Sequence, residues 1–254
     1  MSNNVKIILL MIVCGAGVMG VGFWRYQVTS KSHPAHIVIV RDRSDSVLNN
    51  CDCTVALAKR AFADPHIGTG STITVTVTGD PATANEPKML SSIKVPVSRQ
   101  VLEGRDAVAK QRGELLSDLN TQCEKEAQTK VSPIFIAVKR ATEHLRSIGC
   151  GIDSNCVVYV QSDLEETGDP QLREAIDHRG REKRSLPQAI NNDGINIVIY
   201  GMAETFGDIV GANSKVRRLT KPHDPQRIEN IESVWSSLFT NPEGVTFDPY
   251  CPKN

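Results

Sequence analysis

A chain of 254 residues with 29 basic and 29 acidic side chains has no net field to draw it to nucleic acid or to an anionic surface. Aromatic residues are only 5% of it, too few for a platform on which single-stranded nucleic acid would stack. Setting aside an apolar amino-terminal segment leaves about 220 residues, enough for one full core.

That segment is Ile7 to Trp24, an uncharged and mostly apolar run between Lys6 and Arg25. Its length is close to the minimum for crossing a bilayer, and Trp24 and Tyr26 stand where interfacial rings anchor a span. Residues 1–30 therefore read as a short tail and a transmembrane or signal-anchor helix, and residues 31–254 as the folded domain. Membrane contact is expected through residues 7–24 of a single-pass protein. The cysteine content favours an extracytoplasmic domain.

The same residues admit a rival. Gly15, Gly17 and Gly20 form G-x-G-x-x-G after an apolar run, and Asp42 ends the next predicted strand. That is the order of an NAD(P)-binding unit. Against it, the helix after the glycines shows almost no polar face before Arg25, and a helix covering a soluble sheet should show one.

His36-Ile37-Val38-Ile39-Val40-Arg41 is a period-free apolar run and predicts a buried strand. It runs into Asp42-Arg43-Ser44-Asp45-Ser46, where Asp42, Ser44 and Ser46 alternate. A loop leaving the strand can turn those three oxygens toward one point, which suits a hard divalent cation. Taken singly, these residues are also ordinary turn formers.

A helix over Cys53–Phe62 and a strand over Ser71–Thr78 follow, the latter alternating Ile73, Val75 and Val77 with threonines. A short strand over Ser92–Ser98 contains Pro96, which predicts an edge position. Val101–Lys130 predicts a long solvated helix. Ser132 is placed to cap the next helix, with Pro133 at its first position and Ile134, Val138, Ala141 and Leu145 as its buried stripe. Cys156–Gln161 is a strand with Ser162-Asp163-Leu164 in its exit loop. A charged, broken helix over Pro170–Arg184, a strand over Ile195–Tyr200 and a helix over Pro225–Phe239 complete the chain.

Strands that are dense in Ile and Val and alternate with helices predict an α/β fold, a doubly wound and mostly parallel sheet with helices on both faces. Ligands of such sheets bind beyond the carboxyl ends of the strands. Asp42 and Asp163 lie just past strand ends and Ser132 at a helix start, so three distant segments bring oxygens to one rim. The joint appearance argues for a site where each residue alone would not.

In these three elements the chain resembles the von Willebrand factor A-type domain family. Its first motif, Asp-x-Ser-x-Ser, matches Asp42, Ser44 and Ser46. Its second, a Thr before a helix, matches Ser132, with the hydroxyl kept. Its third, an Asp in a Thr-Asp-Gly-like context, matches Asp163, without the glycine. The resemblance covers most of residues 35–240. It implies a metal-ion-dependent adhesion site holding Mg2+ or Mn2+ through Asp42, Ser44, Ser46, Ser132 and Asp163. It also implies a protein partner that completes the metal with a carboxylate.

Six cysteines lie outside the apolar segment: Cys51, Cys53, Cys123, Cys150, Cys156 and Cys251. Zinc would ask for Cys-x-x-Cys spacing, which is absent. Disulfides and buried thiols both stay open. Cys150 and Cys156 flank a small closed loop, and Cys51 and Cys53 are too close to bond to each other. The chain has no nucleophile elbow, Walker loop or His-Glu-x-x-His. No catalytic residue is assigned. A non-catalytic, metal-dependent binding domain is the leading expectation, and a metal-dependent hydrolase is the enzymatic alternative. Glu165 and Glu166 read as solvated carboxylates near the rim.

Overall fold

Ile37, Val38, Ile39 and Val40 are each at most 1% exposed. The strand β1 (Ala35–Asp42) is therefore buried on both faces, as its unbroken apolar run requires. In this computed structural model the described residues are 34–42, 51–64, 66–67, 70–78, 88–94, 101–125, 132–151, 154–165, 168–177, 186–202, 205–209, 217–221 and 224–252. The expected membrane segment, the glycines at 15, 17 and 20, and Ser44 and Ser46 lie outside them. Among the described residues no helix is long and apolar enough to cross a membrane. Residues Pro34–Asn254 form one compact unit.

The elements in chain order are β1, α1 (Cys51–Ala63), β2 (Thr72–Thr78), β3 (Lys88–Lys94), α2 (Val101–Lys125) and α3 (Ile134–Ser147). Then come β4 (Asn155–Gln161), α4 (Pro170–Asp177), β5 (Ile195–Tyr200), β6 (Thr205–Ile209), β7 (Arg217–Lys221), α5 (Pro225–Ser236) and β8 (Val245–Asp248). Six strands form one sheet in the order β3-β2-β1-β4-β5-β8. All neighbouring pairs are parallel except β2 with β3. This is the expected doubly wound sheet.

The pleat sorts the core into two layers. Val38, Val40, Val158, Val160, Ile197 and Ile199 pack with α3, α4 and α5. Ile37, Ile39, Ile73, Val75, Tyr159 and Tyr200 pack with Cys53, Leu57 and Ala61 of α1 and Leu115 and Leu119 of α2. Helices thus cover both faces.

Several boundaries differ from expectation. The edge strand runs over Lys88–Lys94 rather than Ser92–Ser98, and it is antiparallel. The helix after Pro170 is described only to Asp177, where the stripe of Leu172 and Ile176 ends. The β6–β7 hairpin and β8 were not foreseen. Three of the four residues of β8 are only partly buried and Thr246 is exposed, so no apolar run announces it.

The dinucleotide alternative fails on strand order. Such a unit places the glycine-bearing strand beside the strand that ends in the acidic residue. Both edges of β1 are taken, by β2 and β4, and both of those follow it in the chain. Among the described residues, both neighbours of the strand that ends in Asp42 lie downstream of it.

Two disulfides settle the state of four cysteines. Cys53 bonds Cys251 across a sequence separation of 198, and Cys150 bonds Cys156 across the small loop between α3 and β4. Neither cysteine pair would persist in a reducing compartment without protection.

Candidate functional site

In a doubly wound sheet the crevice opens where the strand order reverses. Here that point lies between β1 and β4: the chain leaves β1 toward β2 on one side and later returns to β4 on the other. Asp42 is the last residue of β1 and is 1% exposed. The register pairs Arg41 with Gln161, so the next residues, Asp42 and Ser162, come side by side on the α3 face of the sheet.

Two hydroxyls converge on one carboxylate oxygen. Ser132 Oγ donates to Asp42 Oδ2 at 2.7 Å, and Ser162 Oγ donates to the same atom at 2.7 Å. All three residues are buried. Charge-assisted bonds of this length are about twice as strong as neutral ones. Thr78, paired with Asp42 in the β1–β2 register, donates its Oγ1 to the Pro133 carbonyl at 3.4 Å. That bond ties the approach to α3 to the sheet rim.

Ser132 does not occupy the cap position expected of it. The N-cap of α3 is Pro133, which makes no side-chain cap bond. The Ser132 hydroxyl donates its proton to the Asp42 carboxylate across the rim. The positive end of the α3 dipole points toward the same region and favours negative charge there.

Asp163 follows Ser162 and is fully buried. Its Oδ1 accepts from Glu165 N at 3.1 Å, an Asx turn. Ser162 Oγ accepts from Leu164 N at 2.9 Å. Between them Leu164 stands at φ 59°, in the left-handed region that costs a non-glycine residue about 1–2 kcal/mol. A glycine would adopt this conformation without strain, but the chain has a leucine here. Leu164 is completely buried, and burying a leucine contributes about 1.5–3 kcal/mol, enough to offset the strain.

Two side chains from α5 hold this loop from outside. Trp235 Nε1 donates to the Leu164 carbonyl at 3.2 Å. Arg227 grips Glu165 with both prongs, Nε to Oε1 at 2.8 Å and Nη2 to Oε2 at 2.6 Å. Glu165, expected to be solvated, is instead one half of a bidentate ion pair. Arg227 also donates from Nη1 to the Ile176 carbonyl at 3.3 Å and lies 3.0 Å from Asp177 Oδ1. The hydrogen bonds it donates to Glu165 hold its guanidinium above its ordinary pKa.

The α1 face of the switch point is polar too. Thr54 Oγ1 donates to Gln161 Oε1, and Arg41 is buried on that side.

Among the described residues no three His, Cys, Asp or Glu side chains are grouped to hold a metal ion. A cation here would depend on hydroxyl oxygens. The oxygens on this rim suit that demand: the carboxylates of Asp42 and Asp163 and the hydroxyl of Ser132, whose proton is directed at Asp42, while the Ser162 hydroxyl is engaged by both Asp42 and Leu164 N. Oxygen ligands suit Mg2+ or Mn2+ and not the softer metals. Of the five expected ligands, Asp42, Ser132 and Asp163 come to one rim, while Ser44 and Ser46 lie outside the described residues. Ser162 and Thr78 were assigned no role from the sequence. The signal that could have found Ser162 is its register position beside Asp42, which needs the β1–β4 pairing to be known.

Neither a protein-family model nor a curated protein matches this sequence. Solved structures similar to it include an aerotolerance-related membrane protein from Bacteroides fragilis NCTC 9343, at 12% identity and a TM-score of 0.42 over 84% of this chain and 90% of that one. BatB, a conserved hypothetical protein from Bacteroides thetaiotaomicron, shows 12% identity and a TM-score of 0.40 over 85% of this chain and 91% of that one. The manganese-loaded TRAP protein of Plasmodium vivax shows 11% identity and a TM-score of 0.40 over 86% of this chain and 70% of that one. At scores this low the fold rests on the strand order and register above, and not on these likenesses.

Proposed function

We propose that this chain is a divalent-metal-dependent protein-binding domain, non-catalytic and tethered to a membrane through residues 7–24. The observation that carries the proposal is the convergence of Asp42, Ser132 and the Ser162–Asp163 loop at the switch point. Asp42, Ser44, Ser46, Ser132 and Asp163 would hold Mg2+ or Mn2+. Such an ion, bound by few anionic side chains, would supply an electrophilic position for a carboxylate of the partner. The role of the chain's own residues is to place the oxygens and to keep Asp42 fixed by the two serine hydroxyls.

The two disulfides support a domain outside the reducing cytosol. The apolar run before residue 25 supports the tether.

The test is Mn2+ titration of the full chain, followed by electron paramagnetic resonance of the free ion. Wild type should bind, Asp42→Ala should abolish binding, and the double variant S44A/S46A should weaken it at least tenfold. Circular dichroism should show all variants folded. Equal affinity in wild type and S44A/S46A would overturn the proposal.

A further inference from the structure

The loop Ser162–Glu165 is held in a conformation that its own residues do not favour. A leucine at φ 59° persists only where surrounding structure over-determines it. The bonds inside the loop, from Leu164 N to Ser162 Oγ and from Glu165 N to Asp163 Oδ1, span two residues each and could form in a detached segment. Restraint must come from elsewhere in the fold. Trp235 contributes one bond to the Leu164 carbonyl. Arg227, about two turns earlier on the same helix, contributes a planar two-pronged grip on Glu165.

We propose that Arg227 is a positioning residue. Through Glu165 it holds Leu164 in the left-handed region and thereby fixes Asp163 at the sheet rim. The effect on metal binding rests on the function proposed above, but the effect on the loop does not. A fork that bonds both carboxylate oxygens sets orientation as well as distance, which a lysine ammonium cannot do. Both side chains of the pair are about three-quarters buried, at 26% and 28% exposure, so water competes only partly for the bonds. Arg227 has a second set of contacts, to Ile176 O and Asp177 at the end of α4. This allows the loop role to be separated from a general helix-packing role.

Two readouts on the full chain decide the matter: amide exchange at Leu164 and Glu165, and Mn2+ affinity. Arg227→Met should speed exchange at both amides at least tenfold and weaken Mn2+ at least fivefold. Arg227→Lys should fall between it and wild type, and it carries the test if the methionine variant does not fold. Asp177→Asn should match wild type in both readouts, because the Glu165 pair is intact. Wild-type exchange at Leu164 and Glu165 in the Arg227 variants overturns the inference. So does an Asp177→Asn variant that behaves like Arg227→Met, since Arg227 would then act through α4. Fast exchange with unaltered Mn2+ affinity overturns the link to Asp163. Absence of Mn2+ binding in wild type would instead refute the proposed function, and exchange would still judge Arg227.

Discussion

Ser162 joins two groups: its Oγ donates to Asp42 Oδ2 and accepts from Leu164 N. Deleting the hydroxyl removes one of the two serine donors to a buried carboxylate and deprives a buried N–H of its acceptor. Each such loss costs about 1–3 kcal/mol. Ser162→Ala should therefore lower the unfolding free energy by about 2–4 kcal/mol in urea titration. A change within about 0.5 kcal/mol, the range of an ordinary surface substitution, would show that the hydroxyl bears no such load. The sequence made Asp42 legible because it terminates an Ile/Val run. Ser162 was not legible, since a serine after a strand is common and acquires meaning only from the register that sets it beside Asp42. Leu164 was harder still: a residue that defies its own backbone preference is set by burial and by contacts from Trp235 and, through Glu165, Arg227, none of which is local in sequence.

At the scale of elements, the two buried central strands β1 and β4 and the helices facing them were readable from periodicity. A fully buried strand needs apolar residues on both sides and a covering helix needs one stripe. The edge was not readable with the same accuracy. The strand β3 shifted toward Lys88, and β8 went unseen, because edge strands bury little and so leave little pattern. The amino end of β1 carries a titratable group with a consequence. His36 Nδ1 lies 2.9 Å from Thr72 Oγ1, and burial lowers its pKa below the ordinary histidine value, with further lowering by His144 of α3 and Lys94 of β3. The folded state thus binds fewer protons at this site than the unfolded chain does. Stability should fall as pH drops below the unfolded histidine pKa of about 6.5. Thermal unfolding of wild type between pH 7 and pH 5 should show this decline, and His36→Gln should make it shallower. Parallel curves for the two proteins would exclude His36 as a source.

The whole domain is organised around one reversal of strand order, and the candidate site sits on it. Doubly wound topology follows from alternation of elements, so the location of a site at the rim could be argued before any coordinate was known. Which cysteines bond could not, because the pairing of Cys53 with Cys251 depends on the end of the chain returning beside α1 after β8. That bond has a mechanical consequence. Load entering at Pro34 runs along β1 to Cys53, crosses the disulfide to Cys251 and leaves at Pro252. The intervening elements, across a separation of 198 residues, lie outside the force path. The bearing element is β1, which is hydrogen-bonded along both edges. A domain pulled from these two points would yield only by losing its central strand, with a short extension. Pulling single molecules from residues 34 and 252 should release roughly 700 Å more chain after reduction than before, at ~3.5 Å per residue. Equal extension in both states would mean that the disulfide does not carry the load.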